Sequence, residues 1–189
     1  INYRDLSVQQ LGSIYERLLE FEIVHDELGA LTVRPNLFAR KNSGSYYTPD
    51  ELVGLILDKT LEPLISERLD AFRTALAKLN SADSPDFQTG ALNEADPAES
   101  ILKRRFCDPA MGSGHFLVSL VDTLADHVLD SMAEAQALAA EAAPHLEYIS
   151  PLARKIEDIR ATILRNAKAA GWTIDQAQLD DRHIVRRIV

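Results

Sequence analysis

The sequence predicts a mostly α-helical chain with few strands, and three observations point there. Apolar residues recur at helical spacing along most of the 189 residues. An Ala-rich stretch from Ala133 to Ala143 has high helix propensity. A single segment, Ile101 to Cys107, reads as a core strand. Hydrophobic residues make up 46% and charged residues 26%, the balance of a globular domain with its own core.

In chain order, Ser7-x-x-Gln10 forms a capping box, and Val8, Leu11, Ile14, Tyr15, Leu18 and Leu19 follow at helical spacing. A helix is expected from about Val8 to Leu19. Phe21 to Val24 and Leu31 to Arg34 flank a Gly-containing turn and read as two short strands or as extended chain. Residues 1–44 are thus expected to form a helical lead-in followed by a short hairpin or extended chain, and Asn36 to Tyr47 a polar loop that carries Arg40 and Lys41. Next comes Thr48-Pro49-Asp50-Glu51, in which Thr48 can cap a helix, Pro49 suits its first position and Glu51 can reach back to the cap amide. Leu52, Val53, Ile56, Leu57 and Leu61 continue that helix. Pro63 is expected to kink or divide it, with a second stretch running to about Leu79.

Residues 80–100 are rich in Ser, Asp, Asn and Pro and read as a flexible surface insertion. After the 101–107 strand, with Cys107 a small buried residue in it, comes Asp108-Pro-Ala-Met-Gly-Ser-Gly-His115. A long helix follows, with Leu117, Leu120, Val121, Leu124 and Val128 on one stripe and Phe116 and Leu117 in the core. A further helix spans about Pro151 to Ala169 and stops at Gly171. Trp172 is expected to anchor the last helices in the core. Asp181 to Val189 begin an amphipathic helix that the chain end cuts short.

Composition narrows the function. No apolar run approaches the roughly 20 residues that span a bilayer, so no membrane association is expected. The N-terminus lacks the layout of a secretory signal and an initiator Met, so the chain is expected to begin inside a longer product. The lone cysteine, Cys107, cannot form an internal disulfide and fits a reducing, cytoplasmic setting. The net charge of -9 makes a poor phosphate-gripping surface, so any grip on DNA should come mainly from elsewhere. Arg40 with Lys41, and Lys103 with Arg104 and Arg105, read as solvated charge before they read as DNA contacts.

The strand, glycine turn and helix around residues 101–128 carry the chemistry. Glycines there let a ligand approach the backbone. The helix start offers unpaired amides and a positive dipole end, while Asp108 adds a negative charge beside them. A ligand using both features carries a carboxylate next to cationic groups, as S-adenosylmethionine does. A dinucleotide fits less well, because Leu117 occupies the place of a third glycine. A triphosphate fits worse, because no Gly-Lys-Ser/Thr follows. His115 has no metal-spaced partner, and no metal site is expected.

Asp108-Pro-Ala-Met-Gly-Ser-Gly-His-Phe-Leu117 is similar to the cofactor loop of amino-methylating DNA methyltransferases. Ser45-Tyr46-Tyr47-Thr48-Pro49 resembles their second cofactor motif, upstream as in the adenine-specific gamma group. Leu11-Gly-Ser-Ile-Tyr-Glu-Arg-Leu-Leu19 resembles the helical lead-in of Eco57I-like restriction–modification proteins. The resemblance implies that residues 45–189 begin a class I S-adenosylmethionine-dependent methyltransferase domain, Rossmann-like and α/β, truncated before its second core strand. It further implies that Tyr47, Thr48 and Pro49 lie against the methionine end of S-adenosylmethionine, with Thr48 on its carboxylate. Asp108 would hold the ammonium, and Ala110, Gly112, Ser113 and Gly114 would line the loop with backbone atoms.

The family's Asn-Pro-Pro-Tyr/Phe segment, which holds the flipped adenine, is absent from this sequence, as is its ribose-binding acid. Both are expected downstream of Val189, so these residues alone are expected to be inactive. The function implied is the cofactor-binding part of an adenine-N6 DNA methyltransferase in restriction–modification or phage defence. Double-stranded DNA would be engaged through the full-length protein, with nuclease and specificity parts fused or separate. The alternatives are a methyltransferase acting on RNA or protein, and a non-catalytic helical interaction module with a vestigial cofactor loop.

Overall fold

Helix α1 (Val8–Leu18) opens the chain in a computed structural model that describes residues 6, 8–36, 38, 48–112, 114–174 and 179–189. Strands β1 (Phe21–His25) and β2 (Leu31–Pro35) follow as an antiparallel hairpin in which Ile23 faces Val33. Helix α2 (Asp50–Ala77) is next, then α3 (Pro85–Glu94), α4 (Pro97–Leu102) and α5 (His115–Ala142). A 3-10 turn (Pro144–Leu146), α6 (Pro151–Ala169) and α7 (Asp181–Val185) complete the order. The mostly helical character read from the periodicity is present, and the two short segments after α1 are strands.

The chain divides into two compact units, the first comprising Ile1–Ile56 with Cys107–Ser119 and the second Leu57–Phe106 with Leu120–Val189. In the first unit the apolar stripe of α1, including Leu11, Ile14, Tyr15 and Leu18, is exposed, as is the Phe21, Ile23, Leu31 and Val33 face of the hairpin. Glu22 on the opposite hairpin face pairs with Arg34 at 2.5 Å, and that bond holds its carboxyl below the usual range.

The second unit holds the larger core. Phe72 of α2, Leu92 of α3, Ala135 and Ala139 of α5 and Tyr148 pack in one buried cluster. The Phe72 and Tyr148 rings lie 5.4 Å apart and tilted by 46°, an arrangement worth about 0.5–1.5 kcal/mol beyond area burial. Ala135, Ala139 and Ala143 are spaced four apart and all buried, so the Ala-rich stretch serves close packing as well as propensity. Among the described residues, no helix is long and apolar enough to cross a membrane.

Several expectations are corrected. Residues 80–100 are not an unstructured insertion, because α3 and α4 occupy most of them and bury Gln88, Leu92, Asp96 and Ala98. Both helices start with a capping side chain followed by proline. The Ser84 hydroxyl accepts from the Phe87 amide, and Asp96 Oδ1 accepts from the Glu99 amide at 2.8 Å. Ile101 and Leu102 end α4, and residues 103–107 run as non-helical chain outside any strand. A strand needs a paired neighbour, and none of the described residues pairs with this segment. Cys107 is accordingly exposed. Helix α2 continues through Pro63 without division. Trp172 is 74% exposed and anchors no core. Phe116 and Leu117 are half-buried, and α7 ends at Val185.

Candidate cofactor site

The turn before α5 is built from its backbone upward. Asp108 is half-buried, and its Oδ1 accepts from the Ala110 amide at 2.9 Å, a local bond that fixes the start of the turn. The Gly114 amide then donates to the Met111 carbonyl at 2.9 Å and closes the turn. Gly112 and Gly114 adopt φ of +56° and +80°, in the left-handed region that side chains strain to enter. A Cβ at Gly112 would come no nearer than 3.9 Å to the Ala110 carbonyl oxygen. One at Gly114 would come no nearer than 3.9 Å to the Met111 side chain. Backbone conformation therefore demands glycine here, and packing by the chain itself does not. The Gly114 carbonyl accepts from the Val118 amide, which makes Gly114 the residue from which α5 springs.

The start of α2 is built in a similar way. The Pro49 carbonyl accepts from the Leu52 and Val53 amides at 3.0 Å each, so the first helical acceptor is Pro49, one residue later than a Thr48 cap would give. Thr48 lies just before it, exposed. Asp50 and Glu51 place acidic side chains in the first turn, where the helix dipole favours them.

These two segments lie together in the first unit. His115 Nε2, at the first residue of α5, is 2.6 Å from Asp50 Oδ1, at the first residue of α2. The contact places the Thr48-Pro49 approach to α2 beside the Asp108–Gly114 turn, across 65 positions of sequence (115 − 50). Tyr47 and Ser113 were also assigned to the site, but they lie outside the described residues, as do Tyr46, Arg40 and Lys41. Sequence reasoning singled out His115 but missed Asp50 as its partner. The signal was that each residue follows a helix-starting Pro or Gly, which periodicity does not join across so many positions.

The donor set suits a zwitterionic ligand. Backbone amides at the start of α5 favour a carboxylate, while Asp108 favours cationic groups. No cluster of His, Cys, Asp or Glu among the described residues is arranged to hold a metal ion. A groove in the second unit, lined by Ile101, Phe106, Leu124 and Val128 with Arg104 and Val189, contains none of the predicted cofactor residues.

No family model matches the chain, and no solved structure matches it. In an alignment 138 positions long that covers 64% of the chain, it is 31% identical to a protein of Methanocaldococcus jannaschii named "Putative type II restriction enzyme and methyltransferase". The matched part spans 10% of that relative. What the comparison establishes is therefore a likeness between this chain and a small portion of a restriction–modification protein.

Proposed function

We propose that this chain is the cofactor-binding segment of a restriction–modification DNA methyltransferase that transfers a methyl group from S-adenosylmethionine to the exocyclic amine of adenine. The observation that carries the reading is the paired arrangement in the first unit. A turn with two left-handed glycines and an aspartate leads into α5, and the Thr48-Pro49 approach to α2 is held beside it by the Asp50–His115 contact. Support comes from the resemblance of both segments to the two cofactor motifs of adenine-specific enzymes, and from the likeness to the archaeal relative.

When bound, S-adenosylmethionine supplies a methyl group activated by its sulfonium. The chain's own part is to bind and orient. The amides at the start of α5 would face the ligand's carboxylate, assisted by Thr48, and Asp108 would face its ammonium. Attack of the amine on a positioned methyl carbon, with the thioether as leaving group, needs no covalent enzyme intermediate, so placement and electrostatics would supply the rate. The segment that grips the flipped adenine would belong to another part of the protein, as no Asn-Pro-Pro-Tyr/Phe sequence occurs here.

The test uses the full-length protein with labelled S-adenosylmethionine and duplex DNA. Label is expected in N6-methyladenine, and Asp108→Ala should weaken cofactor binding by about tenfold or more, equivalent to about 1.4 kcal/mol. Label in cytosine, in RNA or in protein would replace adenine as the target. Absence of cofactor binding by the unsubstituted protein would favour a helical interaction module whose turn is vestigial.

A further inference from the structure

We infer that Asp50 and His115 form a positioning pair that sets the two cofactor-binding segments in register, an inference that rests on the S-adenosylmethionine site proposed above. The contact is short, at 2.6 Å between Nε2 and Oδ1, a close approach of imidazole and carboxylate. It is also sheltered on one side, since the His115 side chain is 12% exposed against 46% for Asp50. Each residue is the first of a 28-residue helix. Each also sits next to residues assigned to the ligand, Asp50 directly after Thr48-Pro49 and His115 directly after Gly114.

The pair answers an electrostatic problem. Two helix N-termini brought side by side present two positive dipole ends and two sets of unpaired amides to one another. A carboxylate at that meeting point offsets both, and an imidazole on the opposing helix gives the carboxylate a close partner. Asp50 and His115 occupy those two places. Neither has to touch the ligand to matter. Displacing one helix start relative to the other by about 1 Å would misalign groups that must bind opposite charges of one small molecule.

A double-mutant cycle on the full-length protein tests this, with S-adenosylmethionine affinity read by calorimetry and the thermal midpoint of the cofactor-free protein read alongside. Asp50→Ala and His115→Ala should each weaken binding by about tenfold, and the double variant by about the same factor, because both remove one contact. His115→Gln, which can present an amide N–H near the place of Nε2, should restore most of the affinity. Three results would overturn the inference while leaving the cofactor site standing. They are single-variant affinities within about twofold of the parent, losses that add in the double variant, and lowered thermal midpoints with unchanged affinity. Failure of the unsubstituted protein to bind would instead remove the cofactor reading and the pair with it. Should the alanine variants not fold, Asp50→Asn and His115→Leu carry the same comparison.

Discussion

Asp96 is fully buried, and both of its carboxylate oxygens are engaged. One accepts from the Glu99 amide at the start of α4, the other from the Tyr148 hydroxyl at 2.7 Å. Burial first, and then the bond to Asp96, push the Tyr148 hydroxyl well above the usual phenol range, so it stays a donor at any ordinary pH. Tyr148→Phe keeps the ring against Phe72 but strips Asp96 of that donor. Leaving a buried carboxylate oxygen underserved costs about 1–3 kcal/mol. The urea midpoint at neutral pH should fall accordingly, with the slope unchanged; a midpoint that stays put would show the bond to be energetically idle. The residues involved were legible in part. Asp96-Pro97-Ala98-Glu99 has the same acid-or-hydroxyl, proline and glutamate grammar that was read correctly as a helix start near Thr48. The abundance of Ser, Asp, Asn and Pro around it gives a surface-loop composition, and composition masked the cap.

Helix α7 is only five residues long, too short to be stable by propensity, and is held by its neighbours. Ile184 and Val185 are buried, Arg186 pairs with Asp122 at 2.6 Å, and Arg182 grips both oxygens of Asp126 at 2.5 and 2.9 Å. Arg160 of α6 reaches Asp181 and the Leu179 carbonyl from the other side. The Arg182 bond holds the Asp126 carboxyl below its ordinary value. Because the folded value lies below the unfolded one, near 3.9, this contribution is present above about pH 4 and is lost as pH falls through the folded value. Both side chains are about half exposed, so solvent screening limits the pair to about 1 kcal/mol or less. The stability gap between parent and Arg182→Gln should therefore be open at pH 7 and narrow near pH 3; a gap independent of pH would contradict the pairing. The amphipathic start at Asp181 was readable from the sequence, and its early end was not. The missing 101–107 strand has a related cause. A strand is completed by residues distant in sequence, and β-branched or aromatic content in one segment does not reveal whether a partner is there.

At the scale of the whole chain, the helices were the most legible feature, because their periodicity is local and repeats over many turns. The turn at Asp108–Gly114 was legible because two glycines beside an aspartate have few reasons to sit before a long helix, and both glycines do adopt the left-handed backbone. The meeting of that turn with the start of α2 is marked by a contact across 65 positions (115 − 50), which no local pattern encodes. The net charge of -9 is spread over both units, an overall balance that does not favour phosphates.

The double engagement of Asp96 also bears on how the second unit breathes. A helix's opening turn is ordinarily the first part to fray, and its amides trade protons with solvent quickly. At α4 the acceptor of the Glu99 amide is a carboxylate that is itself buried and tied to a side chain 52 positions away. That amide should exchange with deuterium as slowly as core amides of α5, opening only when the unit opens. Fast exchange there, alongside protected α5 amides, would mean that the cap releases by itself.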